Sequence, residues 1–413
     1  MLRKISKLLQ LLAAAIALLW GQSVLAAGFY LSEFGTPSSV GTAGVGSSVN
    51  TSGADAAWTN PAGMTGQNED SLLAGLMVIS PELRFDSSVA TAGGSDGGNA
   101  ADPAGVPSLF YTRVLSDETR FGFSFVAVGA GGVDYGDDFV GRYSIQNVEM
   151  ANIGITPSFA FKVNEQLSLG VGVSAIYTTL EQDIAINTPG AGDGQAKFED
   201  LDDWGYQGVL GLTYQFTADT MLGVVYRSEA DVDLEGDIKI KGLPVAPPKQ
   251  SVDLEWTNPQ WLEVGLKHQI DTEKTLMFNV GWQDWSEFSE NKVIMSDAGI
   301  AETIDRQWDD TYHAGAAYIH RLDPEAFYTL GISYESSPVK DKYRTYDFPV
   351  DEMWKLAGSY GWKGKSNLDY SVGATLYLIG DAPIDSTDQG VRSSGEYDDN
   401  TMLFLAGTLR YAF

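Results

Sequence analysis

Leu167-Ser168-Leu169-Gly170-Val171-Gly172-Val173-Ser174-Ala175 alternates without a break. The large apolar residues fall on one face, and Gly and Ser on the other. A period of two marks a strand with one apolar face. Residues 206–216 repeat the scheme less strictly, and residues 276–282 repeat it again. In a soluble sandwich such a face points inward, whereas in a membrane barrel it points outward to lipid. Pattern alone leaves both readings open.

Turn asymmetry separates them. Tight polar turns fall at Ser116-Asp117-Glu118, Asn164-Glu165, Thr217-Ala218-Asp219, Asp271-Thr272-Glu273, Asp323-Pro324-Glu325 and Lys363-Gly364-Lys365. Between successive tight turns lie two long alternating segments and one long polar excursion. The excursions cover roughly 87–105, 135–147, 183–203, 236–250, 290–307, 337–349 and 381–400. Short turns at one end and long loops at the other are what a transmembrane β-barrel requires. The pattern predicts an all-β fold, an antiparallel barrel of about fourteen strands. Tyr177, Trp204, Tyr226, Trp282, Trp354 and Tyr377 near strand ends suit an interfacial girdle. Leu403, Leu405, Leu409, Tyr411 and Phe413 share one face of the last strand. This terminal aromatic resembles the signal read by barrel-assembly machinery.

The first residues read differently. Arg3, Lys4 and Lys7 precede a short apolar run, 8–20, and Val24-Leu25-Ala26 offers small residues for cleavage. Residues 1–26 are expected to be a cleaved signal peptide directing the chain to the outer membrane. Without Cys there is no lipoprotein anchor, disulfide or thiol chemistry. The chain carries 26 Lys and Arg against 55 Asp and Glu, a net charge of −29. Such acidity excludes nucleic acid as a partner. The charge concentrates in the expected loops, where it solvates them or bridges divalent cations at a lipopolysaccharide surface. Membrane lipid and lipopolysaccharide are the expected surroundings of a monomer.

Residues 28–66 are rich in Gly, Ser, Ala, Thr and Asn and contain no Lys or Arg. They cannot build a core of their own. Yet they carry Phe29, Tyr30, Leu31, Phe34 and Trp58, which a flexible linker would not. A small segment packing against something larger is expected.

Catalytic and cofactor signatures are absent. His268, His313 and His320 show no metal-ligand spacing, and no nucleophile elbow or P-loop is present. The acidic run 198–203 lacks calcium-loop spacing and is expected to be a solvated loop. No enzyme, cofactor or metal is expected.

Ala27-Gly28-Phe29-Tyr30-Leu31-Ser32-Glu33-Phe34-Gly35, Gly41-Thr42-Ala43-Gly44-Val45-Gly46 and Asn60-Pro61-Ala62-Gly63-Met64 resemble the start of the FadL/TodX family. These are outer-membrane transporters of long-chain fatty acids and other hydrophobic compounds. Gly141-Arg142-Tyr143 and Tyr226-Arg227-Ser228-Glu229 fit as well. The resemblance implies a fourteen-stranded barrel, 67–413, plugged by a hatch, 27–66. It implies a ligand, fatty acid or hydrocarbon, in a lumen pocket, and the apolar cluster Phe29, Leu31 and Phe34 in an otherwise small and polar segment is expected to line or gate that pocket. Asn60 and Pro61 are expected to serve as turn and hydrogen-bond anchors of the hatch more than as ligand contacts. It further implies a kinked third strand, here 119–134, opening the wall sideways at Gly129, Gly131 and Gly132. Glycine there would permit unusual backbone angles and leave space. Basic partners for a carboxylate are few. Arg227 and Lys355 are the candidates, and their scarcity makes a neutral hydrocarbon plausible. A polar porin, or an adhesin or scaffold working through its loops, remain the alternatives.

Overall fold

The computed structural model describes residue 36 and residues 39–190, 192–243, 249–295, 300–365 and 367–413. Fourteen antiparallel strands close into a barrel. Ser71–Glu82 pairs with the last strand, Thr401–Ala412, through twelve consecutive partners from Ser71↔Ala412 to Glu82↔Thr401. That pairing removes the sheet edge, which lipid would not tolerate. The order around the wall is then sequential.

All six tight turns stand where expected, and side chains set several of them. The Oδ1 atoms of Asn164, Asp271 and Asp323 each accept two backbone N–H groups just ahead in the chain. A short side chain thereby replaces backbone partners that the turn leaves unpaired. The alternation also falls as predicted. Leu169, Val171 and Val173 are exposed to the lipid side while Ser168 and Ser174 are buried toward the lumen. Leu403, Leu405, Leu409 and Phe413 face outward around buried Met402 and Phe404.

Two expectations need correction. Tyr377 is not part of the girdle: it is fully buried, its ring 4.5 Å from that of Phe404 and tilted 34° to it, with the Lys355 ammonium 5.1 Å from its ring. The acidic run 198–203 is not a loop. It lies inside the strand Gly194–Thr217, whose 24 residues far exceed the roughly 10 needed to cross a bilayer. The strand pairs with Ala230–Lys241 beyond the membrane and bulges between Glu199 and Asp202, where Asp200 takes φ +58°. Several other excursions are also ribbons, such as Glu290–Met295 paired with Ile300–Asp305. Over the long-loop end, Phe85–Ala90, Ile384–Asp388 and Val391–Tyr397 form a separate three-stranded sheet.

Residues 39–66 sit inside the barrel, because hydrogen bonds reach them from around its circumference. Thr329 Oγ1 donates to the Gly41 carbonyl (2.7 Å) and Ser333 Oγ to that of Ala43 (3.2 Å). Across the lumen, Ser158 Oγ donates to the Ala57 carbonyl (3.2 Å) and Thr65 meets Ser168 (2.8 Å). Wall glycines make the fit close. A Cβ on Gly170 would lie 2.2 Å from the Ala62 nitrogen, and one on Gly211 2.2 Å from Asn60 Oδ1.

Candidate functional site

The second strand, Ala104–Val114, and the third, Thr119–Asp134, pair only from Leu109↔Phe125 down to Val114↔Arg120. Above Leu109 the second strand keeps its partner on the other side, Ser71–Glu82. Above Phe125 the third strand keeps Asn147–Lys162 but bulges at Val128. Their edges meet again only where the Asp134 N–H donates to the Ala100 carbonyl (2.7 Å). Five second-strand residues, 104–108, therefore border a gap about 17 Å tall at strand rise. Pro107 stands on this edge, and proline removes one donor where no ladder partner exists.

Burial shows where the third strand goes. Up to Ala127 its residues alternate between buried and half-exposed, as in a wall. From Val128 to Val133 every residue is buried. A lipid-facing strand cannot bury both faces, so protein covers both faces of this stretch, and the bulge at Val128 locally redirects the strand. Gly129, Gly131 and Gly132 are not among the residues with positive φ. The expectation that they supply unusual backbone angles is corrected, and of the three Gly131 and Gly132 border open space.

Gly131 and Gly132 line a lumen cavity of about 100 Å³. Met150, Leu180, Ile184, Phe198, Leu201, Val252, Leu254 and Trp256 make most of its remaining wall. Its polar lining is Gln182, Asn291, Arg306 and Asp347. An engineered apolar cavity of about 150 Å³ holds benzene, so this volume suits a compact ring or part of a chain. Behind it, Phe288 packs 4.6 Å from Trp256, 4.9 Å from Trp308 and 5.7 Å from Phe348. A second aromatic cluster closes the loop end beside the gap. Tyr135 stacks 4.2 Å from Phe139, donates to the Tyr346 carbonyl (2.8 Å) and meets the Tyr397 hydroxyl.

The expected site residues divide. Gly131 and Gly132 reach the cavity, and Gly129 lies on the same fully buried stretch. Phe29, Leu31 and Phe34 lie outside the described residues. Asn60 and Pro61 join hatch to wall instead. Asn60 caps the 3-10 helix Pro61–Gly66, accepting from the Ala62 N–H (3.2 Å), and donates to the carbonyls of Ser48 (2.7 Å) and Leu212 (3.2 Å). Asn60→Ala should cost about 1–3 kcal/mol, because buried carbonyls lose their donor. A lower barrel-unfolding temperature with normal insertion would show it; an unchanged one would contradict it.

Arg227 and Lys355 both face the lumen, yet both are engaged. Arg227 is fully buried, stacked 3.7 Å over the Trp58 ring, and donates to the Trp58 carbonyl. Lys355 pairs with Glu335 at 2.9 Å. Neither borders the cavity. The cation that does, Arg306, escaped the sequence reading. Its one local signal is its place beside Trp308 in an acidic excursion, and its anion partner stands 41 residues away.

The Asp347 side chain is largely buried, which alone would raise its pKa. The charge and hydrogen bond of Arg306 outweigh burial and hold the carboxyl below its ordinary range. A carboxyl lowered on folding stabilises fully above its unfolded value, about 3.9, and loses that contribution as pH falls through the folded one. Acidification below about pH 3.9 should therefore loosen the aromatic cluster. Tryptophan emission during acid titration should report it, and Asp347→Asn should lack that transition. Identical titrations would refute the assignment.

Comparisons place this geometry among known proteins. Residues 17–413 match the family described as "Outer membrane protein transport protein (OMPP1/FadL/TodX)". A "Long-chain fatty acid transport protein" of Escherichia coli O6:H1 is 26% identical, covering 97% of this chain and 98% of that protein. "Outer membrane protein P1" of Haemophilus influenzae is 22% identical, covering 90% of each chain. The fold matches that of a Pseudomonas aeruginosa FadL homologue at TM-score 0.83, with 18% identity, over 95% of this chain and 100% of that one. It matches the P. putida toluene transporter TodX at 0.73, with 19% identity, over 93% and 99%.

Proposed function

Because the chain belongs to the OMPP1/FadL/TodX family of outer-membrane transport proteins, we propose that it takes up long-chain fatty acids or similar hydrophobic compounds passively. They enter the lumen cavity from the long-loop end and leave sideways between the second and third strands. The observation that carries this reading is the position of Gly131 and Gly132. They line the apolar cavity and belong to the stretch of the third strand that has no second-strand partner across the gap. Catalysis has no place in it; the family transports.

The energetics favour a sideways path. Each methylene moved from water to an apolar site is worth about 0.8 kcal/mol, so a sixteen-carbon tail represents on the order of 10 kcal/mol. An aqueous exit would expose that tail, whereas a path from apolar cavity to lipid never does. No energy source is required.

Phe29, Leu31 and Phe34 are proposed to line or gate the inner end of the route, since they are the apolar cluster of an otherwise small and polar segment. Phe29→Ala should lower uptake with little loss of barrel heat stability. Equal loss of assembly and uptake would make the role structural. The function itself is tested by comparing radiolabelled hydrophobe uptake in cells with and without the protein, alongside conductance in planar bilayers. Dependence of uptake on the protein and a nearly silent bilayer are expected. Large steady conductance would replace the reading with a polar porin. Unchanged uptake on deletion would favour an adhesin or scaffold.

A further inference from the structure

The cavity presents one cation among its described lining residues, and that cation is already matched. Arg306 Nη2 pairs with Asp347 Oδ2 at 2.7 Å, Nε donates to Asn291 Oδ1 at 2.7 Å, and Nη1 donates to Thr345 Oγ1 at 3.2 Å. The rings of Phe288 and Phe348 cover the guanidinium at 5.2 and 4.9 Å. The Arg306 and Asp347 side chains are only 8% and 15% exposed. Gln182 and Asn291, the remaining polar groups of the lining, are uncharged. The cavity therefore holds one positive and one negative charge, mutually paired.

We propose that Asp347 is the specificity-determining residue of this cavity, cancelling Arg306 so that the site accepts uncharged hydrophobes and rejects carboxylates. This rests on the uptake reading above and narrows it to uncharged hydrophobes, with a fatty acid admitted only as its protonated acid. An entering carboxylate meets Asp347 as well as Arg306, and it must shed water without gaining an unpaired cation. An uncharged ligand of the same shape disturbs neither partner. The discrimination depends on Asp347 keeping its charge, and the adjacent guanidinium secures that charge.

The test uses purified full-length protein in amphipol, with 1-octanol and octanoate as probes in equilibrium dialysis at pH 8. Wild-type protein should bind octanol on the order of 100-fold more tightly than octanoate, the scale expected when a charged group sheds water without gaining a partner. Asp347→Asn should tighten octanoate relative to octanol at least about tenfold. The double variant Arg306→Gln/Asp347→Asn should return octanoate to weak binding. Wild-type protein supplies an independent measurement should Asp347→Asn fold poorly. Octanoate affinity should rise as pH falls from about 8 to 5, tracking the uncharged acid of pKa near 4.3–5. Equal wild-type binding of both probes, a flat pH profile, or no gain in a folded Asp347→Asn would overturn charge selection while leaving uptake standing. Failure of wild type to bind either probe would overturn both readings.

Discussion

Gly131→Val is expected to slow hydrophobe uptake about tenfold, equivalent to about 1.4 kcal/mol on the exit barrier, while leaving binding within about threefold. Gly131 pairs with Met150 on the fourth strand, Asn147–Lys162, and borders the cavity on the stretch that lacks a second-strand partner. Its φ is not positive, so an L-residue meets no backbone strain there. A β-branched side chain also suits an extended strand. The added carbons must therefore occupy space and not refold the strand. If the gap is the exit, that space is the exit. The opposing idea, that the bend serves only barrel geometry, expects either no effect or a folding defect. Binding and uptake measured on one correctly inserted preparation separate the two. Native-rate uptake with a visibly filled gap would rule out lateral exit here.

The same stretch shows what the sequence could and could not convey. A period of two with Gly and Ser on one face, as in residues 167–175, fixes strand and facing together, because each successive side chain points the opposite way. The barrel was therefore legible from the strands outward. Tyr377 was misjudged for a related reason. A lumenal tyrosine and an interfacial one look alike in composition, and only its register opposite Lys355 turns it inward. The acidic run 198–203 has the composition of a loop. It is a strand because Ala230–Lys241 lies alongside to pair with it. Such long-range pairing is invisible in a local window. The cavity is the extreme case: its lining spans residues from Gly131 to Phe348 and no segment supplies enough of it to be read alone. The glycine run pointed at the gap, but Pro107 on the facing edge was the unused confirmation.

Arg227→Ala should release the hatch. Arg227 ends the seventh strand, Thr220–Arg227, and is wholly buried against Trp58 of the short helix Ala56–Thr59. It lies 3.7 Å over the Trp58 ring and 5.5 Å from that of Trp261, donates to the Trp58 carbonyl, and reaches Ser174 Oγ at 3.4 Å. One side chain thus ties plug to wall by both stacking and hydrogen bonding. A desolvated cation–π contact contributes about 2 kcal/mol, and a charged hydrogen bond about 1.5–3. Losing both costs on the order of 3 kcal/mol, since such terms overlap. The strands keep their ladders, with Arg227 paired to Val209 and Trp261 through backbone that alanine retains. The loss therefore falls on the hatch and not on the barrel. At about 1.4 kcal/mol per tenfold, the fraction of time the plug stands open should rise about 100-fold. Planar bilayers should show brief openings to porin-like conductance that wild-type protein rarely makes, and proteases should cut within 39–66 in barrels that remain heat-stable. Arg227→Lys keeps the charge but loses the planar stack, and should fall between the two. A silent bilayer together with a protease-resistant hatch would show that the small-residue contacts at Gly170 and Gly211 hold the plug without this anchor.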